Sequence, residues 1–400
     1  MGTGLAGRGR RAAQVALGVA GLLGAAVLAA PPSEAAAQAA APSGWFGTAV
    51  AVSGTTAVIG APGVNVGAGA AYVFVHSGKT WRRQAALADP GDGEGDYFGS
   101  SVAVSSTAAG TIAVIGAPGS AENEAGTAYV FARSGKAWHL QAALADPDGD
   151  ISDQFGSSVA ISGTTAVIGA DGVNKTRGAA YIYARSGGTW RLQAAFYDPS
   201  GHFSDEFGWS VAISGATAVI GDPGRELSSD EHGAGAAFVY VRSGNAWHRQ
   251  AAFYDPAARG ADSFGGAVAI SGATAVIGAS GVQNSQGAAY VYQRSGTAWH
   301  RIAKLTSPHP LDYSIFGSAV AVSGARALVG EPLTALNVCG TAYEFMRSGR
   351  AWRERARVVN PDPGCATGHP DSFGTSVALS GRTAVIGAPD KPAAYEQTLP

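Results

Sequence analysis

Short apolar runs separated by small polar turns recur along most of the chain. In one copy the runs extend over residues 155–161, 165–170, 178–183 and 190–196. Each run is rich in Val, Ile, Tyr, Phe and Ala, and Ser-Gly dipeptides separate the first run from the second and the third from the fourth. Runs of this length joined by such turns are typical of β-strands in tight hairpins. The pattern predicts four antiparallel strands, A to D, in each copy.

The copies recur at two alternating intervals. A Phe-Gly dipeptide opens strand A of each copy, at intervals that alternate between 52 and 57 residues: Phe46, Phe98, Phe155, Phe207, Phe264, Phe316 and Phe373. The strands show little polar alternation, which indicates sheets covered on both faces. A β-solenoid is the alternative, but its repeats are usually much shorter. We therefore predict an all-β fold, a seven-bladed β-propeller of four-stranded antiparallel blades.

The seventh copy is incomplete, because it ends after a short strand C around residues 393–395 and lacks the Trp-led strand D of the other copies. Propellers often use one terminus to complete the last blade, which removes open sheet edges. Gln38-Ala39-Ala40 repeats the Gln-Ala-Ala sequence of strand D. The sequence therefore predicts that an N-terminal segment supplies the missing strand.

The first residues have the features of an export signal. Arginines precede an apolar run over residues 15–30, and the alanines at 35–37 offer a cleavage site. An uncleaved membrane anchor is the alternative, although the run is short for a spanning helix. We expect a signal peptide over residues 1–37 and a single propeller over residues 38–400. The mature protein is expected to be a secreted monomer without a membrane span.

Composition narrows the function classes. The net charge is −2, which argues against nucleic-acid binding through bulk electrostatics. Apolar residues make up 46% of the chain, enough for a sizeable core.

The repeated pattern F-G-x-S-V-A-[IV]-S-G-x-T-A-V-I-G-A-P, followed by G-A-A-Y-V-[FY], resembles the FG-GAP repeat of integrin α-subunits and secreted bacterial proteins. The resemblance implies extracellular recognition, adhesion or sugar binding. Integrin repeats often carry a D-x-D-x-D-G calcium loop between strands A and B. Here that place holds a Ser-Gly dipeptide or an equivalent short turn, so integrin-style calcium sites are not expected.

Charge is distributed unevenly over the predicted disc. Acidic residues fall mainly in the B–C loops and in the D–A connections between blades, which lie on one face, whereas basic residues flank the C–D turns on the other. The sequence predicts an acidic loop face that would attract cations or basic partners. The simpler interpretation is that loops tolerate charge, because Asp-Pro recurs at Asp89, Asp146, Asp198 and Asp255.

One acidic loop has the spacing of calcium ligands. Asp146, Asp148, Asp150 and Asp153 place oxygen ligands at nearly alternate positions, although the loop lacks the length and the glutamate of an EF-hand. A solvated acidic turn is the alternative interpretation. Calcium is the one cofactor that the sequence suggests.

A ligand site is predicted near the start of the fourth repeat. Trp209 stands at a position that is otherwise Thr, Ser or Gly, and it could stack on a sugar ring or be a simple packing substitution. Asp230, Glu231 and His232 cluster in the long B–C loop of the same repeat. Six other Trp residues open strand D at one register, and their recurrence indicates blade packing.

The two cysteines, Cys339 and Cys365, are predicted to form a disulfide, because an even count is usual in an exported chain.

The sequence offers no catalytic set. No zinc-ligand spacing or G-x-S-x-G elbow is present, and acids such as Asp205 and Asp262 recur by blade, which favours a structural role. We expect a secreted, non-catalytic binding or adhesion module that presents its acidic loop face to a carbohydrate or an extracellular protein. The alternatives are an extracellular propeller enzyme, either a polysaccharide lyase or a hydrolase, and a structural envelope-associated protein.

Overall fold

A computed structural model describes residues 26–29, 44–78, 80–91, 93–119, 125–147, 149–198, 202–227, 233–255, 257–258, 260–332, 339–361, 372–390 and 392–400. These residues form seven four-stranded antiparallel sheets, each with its strands in the order A-B-C-D. The predicted seven-bladed propeller is confirmed.

Each complete blade is built from four consecutive strands. Those of blades one to three are β2–β5 (Val50–Ser53, Thr56–Ala61, Ala70–Ser77, Thr80–Ala88), β6–β9 (Ser101–Thr107, Gly110–Ala117, Thr127–Ser134, Ala137–Ala145) and β10–β13 (Ser158–Ser162, Thr165–Ala170, Ala179–Ser186, Thr189–Tyr197). Those of blades four to six are β14–β17 (Val211–Ser214, Thr217–Asp222, Ala236–Ser243, Ala246–Phe253), β18–β21 (Phe264–Ser271, Thr274–Ala279, Ala288–Ser295, Ala298–Leu305) and β22–β25 (Val320–Ser323, Arg326–Glu331, Thr341–Ser348, Ala351–Val359). One-turn helical segments, α1 (Val173–Thr176) and α2 (Val282–Ser285), lie in the B–C loops of blades three and five.

Blade seven takes strands from both ends of the chain. Strands A to C are β26 (Ser376–Ser380), β27 (Thr383–Ala388) and β28 (Ala393–Thr398), and the fourth is β1 (Ala26–Ala29), which pairs antiparallel with residues 393–396. An N-terminal segment therefore completes the blade, as predicted, but it is not Gln38-Ala39-Ala40, which lies outside the described residues. Main-chain pairing needs only an extended segment, so a run of small apolar residues can serve. Strand β1 lies within the predicted signal peptide, whose removal stays a prediction.

The A strands form the inner ring. Strand A of each blade packs against strand A of the next, and β2 packs against β26 to close the circle. The core lies between blades, where the phenylalanines of the Phe-Gly dipeptides are almost completely buried. Each of them contacts an aromatic ring of strand C in its own blade, as Phe155 contacts Tyr181 with ring centroids 5.4 Å apart. The aromatic recurrence in the sequence is therefore the repeated packing unit of the core.

Strand B carries a glycine at the point where blades approach most closely. A Cβ at Gly169 would overlap the carbonyl oxygen of Gly208 in the next blade. Every blade has the same contact between its strand B glycine and the next Phe-Gly glycine. The glycine in the V-I-G-A motif is therefore required by the spacing between blades.

The Ser-Gly turns between strands A and B also join the blades. The serine Oγ of each turn accepts a hydrogen bond from a main-chain N–H in the corresponding turn of the following blade, as Ser162 does from Gly215 at 3.0 Å. Seven such bonds run around the ring, and the last joins Ser380 to Gly54 at 3.0 Å. The sequence predicted these serines only as hairpin residues.

Strand D lies at the outer edge, and its tryptophans pack between blades, as their recurrence predicted. Trp190 is buried, and its Nε1 donates to the Gln141 side chain of the preceding blade at 2.9 Å. Trp138 and Trp299 make the same bond to Gln84 and Gln250. Among the described residues, no helix has the length and apolar content needed to cross a membrane.

Candidate functional site

The loop face of the disc is built by the B–C loops and the D–A connections, as predicted. The last residue of a B–C loop pairs with the Phe-Gly dipeptide of the next blade, as Gly178 does with Phe207. A parallel bridge of this kind also joins Gly235 to Phe264. Loops from neighbouring blades are therefore held side by side on this face.

Two aspartates recur at the entry to several blades and have a structural role. At the entry to blade three these are Asp146 and Asp153, both buried. The Tyr181 hydroxyl donates to Asp146 Oδ2 at 2.8 Å, and the main-chain N–H of Asp150 donates to Asp153 Oδ2 at 2.8 Å. At the entry to blade five, Tyr290 donates to Asp255 in the same way. The Asp-Pro positions therefore fix loops through a tyrosine of strand C.

These bonds bear on the calcium loop predicted from the sequence. Two of its carboxylates, Asp146 and Asp153, bond within the protein, Asp150 is exposed, and Asp148 lies outside the described residues. The described members of this loop are not brought together as a metal-ligand group. Calcium binding there stays a prediction.

Blade four departs from the repeat at three positions that meet in space. The last residue of strand B is Asp222, where five other blades have Ala. Arg225 replaces the valine found at this position in blades one, three and five, and Phe238 replaces the tyrosine found in the other six. The tyrosine hydroxyl that would bond Asp198 is therefore missing, and a guanidinium takes its place.

The resulting cluster contains three carboxylates and one guanidinium. One oxygen from each of Asp198, Asp205 and Asp222 lies within 4.8 Å of the others. Arg225 Nη1 lies 2.9 Å from Asp198 Oδ1 and 3.4 Å from Asp222 Oδ2, and its guanidinium carbon lies 5.3 Å from the centroid of the Phe238 ring. Burial, together with the charges of Asp198 and Asp205, raises the pKa of Asp222 to about 9, while Arg225 acts in the opposite direction.

Blade six has a carboxylate at the same strand position and accommodates it differently. Glu331 ends its strand B, but serines stand where the entry aspartates would be: Ser307 and Ser314. The Ser307 hydroxyl donates to Glu331 Oε2 at 3.1 Å. Blade six therefore exchanges both entry acids for hydroxyls, whereas blade four retains both.

An open cleft lies beside the blade-four cluster. It has a volume of about 480 Å³ and lies between the loops of blades four and five, with Phe203, Ser204, Glu206, Glu226 and Ser263 in its walls. Phe203 is 58% exposed. Burial and the charge of Asp171 raise the pKa of Glu206. The cleft thus combines an exposed aromatic face with carboxyl and hydroxyl groups.

Two cationic side chains lie close to the aromatic ring. The guanidinium carbon of Arg177 lies 4.7 Å from the centroid of the Phe203 ring, and Lys175 Nζ lies 5.8 Å from it. The sequence prediction missed Phe203 and Glu206 because neither belongs to a repeated motif. Their one signal is that they stand in the connection immediately before Trp209.

The structure describes one of the four residues predicted for a ligand site, Trp209. Trp209 is 49% exposed, and its main-chain N–H donates to the carbonyl oxygen of Glu206 at 3.0 Å, so it lies on the same turn as one cleft wall. Asp230, Glu231 and His232 lie outside the described residues. The described ends of their loop include Glu226 and Gly233, which line the cleft.

Cys339 lies at the end of the B–C loop of blade six, two residues before strand C begins at Thr341. Cys365 lies outside the described residues, so the disulfide between them stays a prediction.

Comparison with known families identifies the repeat. A family model described as the FG-GAP repeat matches residues 34–74, 81–131, 138–183, 190–240, 247–292 and 352–395. Comparison with curated proteins found no match. The matched segments cover well over half of the chain, and five of the six run from strand D of one blade to strand C of the next. This protein therefore belongs to the FG-GAP repeat family.

Proposed function

We propose that this protein is a secreted carbohydrate-binding module that takes its ligand on the loop face, in the cleft between blades four and five. An FG-GAP propeller suggests a binding or adhesion module. The observation that carries the proposal is the exposed Phe203 ring in the wall of a cleft of about 480 Å³. A rigid propeller that presents loops of differing length is a scaffold suited to recognition.

The chemistry of the cleft fits a sugar. An exposed aromatic face packs against the C–H face of a pyranose ring. Carboxylates accept hydrogen bonds from the sugar hydroxyl groups, and protein hydroxyls both donate to them and accept from them. Glu206, Glu226 and Ser263 supply these polar groups around Phe203. Arg177 and Lys175 lie close to the ring and favour a sugar that carries an acidic substituent. A protein ligand was the second class that the sequence suggested, and the array below separates the two.

A glycan array probed with the purified protein tests the proposal, with calcium and with chelator in parallel. We expect saturable binding to a narrow set of sugars, and we expect Phe203→Ala to weaken it about fivefold, since a stacked aromatic contributes about 1 kcal/mol. Tyr313→Ala is the matched control, because Tyr313 is 71% exposed in the equivalent connection into blade six. Trp209→Ala tests the aromatic that the sequence singled out.

A blank array in both conditions would overturn the proposal and would turn the search to protein ligands. Equal loss with Phe203→Ala and Tyr313→Ala would also contradict it, because the effect would then be general to the loop face.

A further inference from the structure

We propose that Asp198, Asp205 and Asp222 bind one divalent cation, with calcium as the ion whose chemistry fits them. The three residues come from the connection into blade four and from the end of its strand B, and one oxygen of each lies within 4.8 Å of the others. Calcium takes oxygen ligands from carboxylates in flexible geometries. A donor set made only of carboxylates disfavours the softer metals that bind thiolates and imidazoles.

Charge balance is the first argument. When all three carboxylates are ionised, they and the guanidinium of Arg225 carry a net charge of −2, and the side chains of Asp198 and Asp222 have no exposed surface. Buried charge is costly unless it is paired or coordinates a metal. One divalent cation cancels this charge.

An oxygen without a partner is the second argument. Asp222 Oδ2 faces Arg225, whereas Asp222 Oδ1 is buried and has no hydrogen-bond partner among the described residues. Buried polar atoms in native proteins nearly always have a partner. Asp222 Oδ1 is therefore the atom that a cation in this cluster would satisfy.

The other repeats supply the third argument. Where blade six carries Glu331 at the position of Asp222, Ser307 and Ser314 replace the two entry acids, and Ser307 bonds the glutamate directly. Where blade three retains its entry acids, strand B ends in Ala170. Blade four alone combines the strand-B carboxylate with both entry aspartates.

The ion would fix both walls of the cleft beside it. Ser204 and Glu206 flank Asp205 in the chain, and Pro223 follows Asp222 directly, so two ligand-bearing segments continue into cleft residues. The site is independent of the sugar proposal, because the cluster and its charge are present whatever the cleft binds.

Elemental analysis tests the site. Because the carboxylates are buried, the full-length protein is unfolded in urea and refolded with either calcium or chelator, and is then freed of unbound metal. We expect about one calcium ion per chain after refolding with calcium, and a higher thermal midpoint than after refolding with chelator. Asp222→Ala restores the residue of five other blades, and it should remove the ion and abolish the calcium-dependent rise.

Glu331→Ala is the matched control, since it removes a buried carboxylate from the same strand position, and it should retain the ion. If Asp222→Ala does not fold, Asp222→Asn provides the isosteric test. The proposal is overturned if the refolded protein holds no calcium, which would mean that a shared proton balances the cluster. It is also overturned if Asp222→Ala retains the ion while Asp150→Asn loses it, which would assign calcium to residues 146–153.

Discussion

Removing Arg225 should lower the free energy of unfolding, because the buried acids in blade four would lose a cation that lies beside them. Its guanidinium lies within ion-pair distance of Asp198 and Asp222, and it stands where three other blades have valine. Arg225→Val introduces the apolar side chain that those blades have at this position, so the change should act mainly on charge. In chelator, the two carboxylates would lose the guanidinium that lies within ion-pair distance of both.

The expected magnitude follows from the burial of the pair. The side chains of Asp198 and Asp222 have no exposed surface, and that of Arg225 is 15% exposed. Removing one partner of a buried ion pair costs about 3–5 kcal/mol, because it leaves an uncompensated charge. With an unfolding entropy of about 2.1 cal/mol/K per residue, this corresponds to a fall of roughly 4–7 °C in the thermal midpoint.

Variants that restore the residues of the other blades distinguish the effect of the Asp222 carboxylate from the effects of Arg225 and Phe238. The triple variant Asp222→Ala, Arg225→Val, Phe238→Tyr recreates the arrangement of blade three, in which a tyrosine hydroxyl bonds the entry aspartate at 2.8 Å. We expect this variant to be about as stable as the wild type, because exchanging a buried ion pair for the repeat's own residues is often neutral. Arg225→Val with Phe238→Tyr retains Asp222 and should stay destabilised.

Thermal and urea unfolding followed by circular dichroism in chelator measure these differences. An Arg225→Val midpoint within 1–2 °C of the wild type would refute the reasoning, because the effect would be far below the cost of breaking a buried pair. Equal losses in Arg225→Val and the triple variant would do the same, since Asp222 would then not be the source.

Three further predictions follow from the fold. Gly169→Ala should lower the urea midpoint strongly, because its Cβ would overlap the Gly208 carbonyl oxygen, whereas Gly163→Ala, which meets open space at φ 59°, should cost only about 1 kcal/mol. Burial raises the pKa of eight tyrosines, four of them to about 12. Since phenols ionise near pH 10 in the unfolded chain, stability should fall as the pH rises from about 10 towards 12. Absorbance at 295 nm should show these phenols ionising together with unfolding, and ionisation in the folded state near pH 10 would contradict the burial. A chain of residues 26–400 should unfold at a higher temperature than one of residues 38–400, because only the longer chain contains the strand that pairs with residues 393–396, and equal midpoints would show that this pairing adds nothing.

The repeat made the architecture predictable. The features that the sequence did not predict lie where the chain departs from the repeat. The recurring Phe-Gly dipeptide identified every blade, because its phenylalanine packs in the same way between neighbouring blades in each copy. Strand β1 (Ala26–Ala29) was missed because it lies in an apolar run that resembles an export signal. Its sequence Ala-Val-Leu-Ala nevertheless has the register of Ala-Ala-Leu-Ala (Ala85–Ala88) in strand D of blade one. The acidic cluster was missed because Asp198 and Asp205 look like ordinary repeat positions, and only Asp222, where other blades have Ala, signals that blade four differs.

The cleft was predicted only in outline. Charge patterning identified the loop face, and Trp209 identified the blade, since both are visible in the alignment of the copies. The position of Phe203 depends on how the connection before blade four folds, and that connection has no counterpart of equal sequence in the other blades.

The closed series of serine bonds has a consequence for how this protein could gain or lose repeats. An open array of repeats ends in exposed surfaces, tolerates the deletion of an internal unit and needs caps at both ends. In this ring the turn of the last repeat bonds that of the first, through Ser380 and Gly54, so no repeat occupies a terminal position. If one blade were deleted, the remaining six would have the wrong curvature to close the ring. Repeats can therefore not be gained or lost one at a time in this propeller.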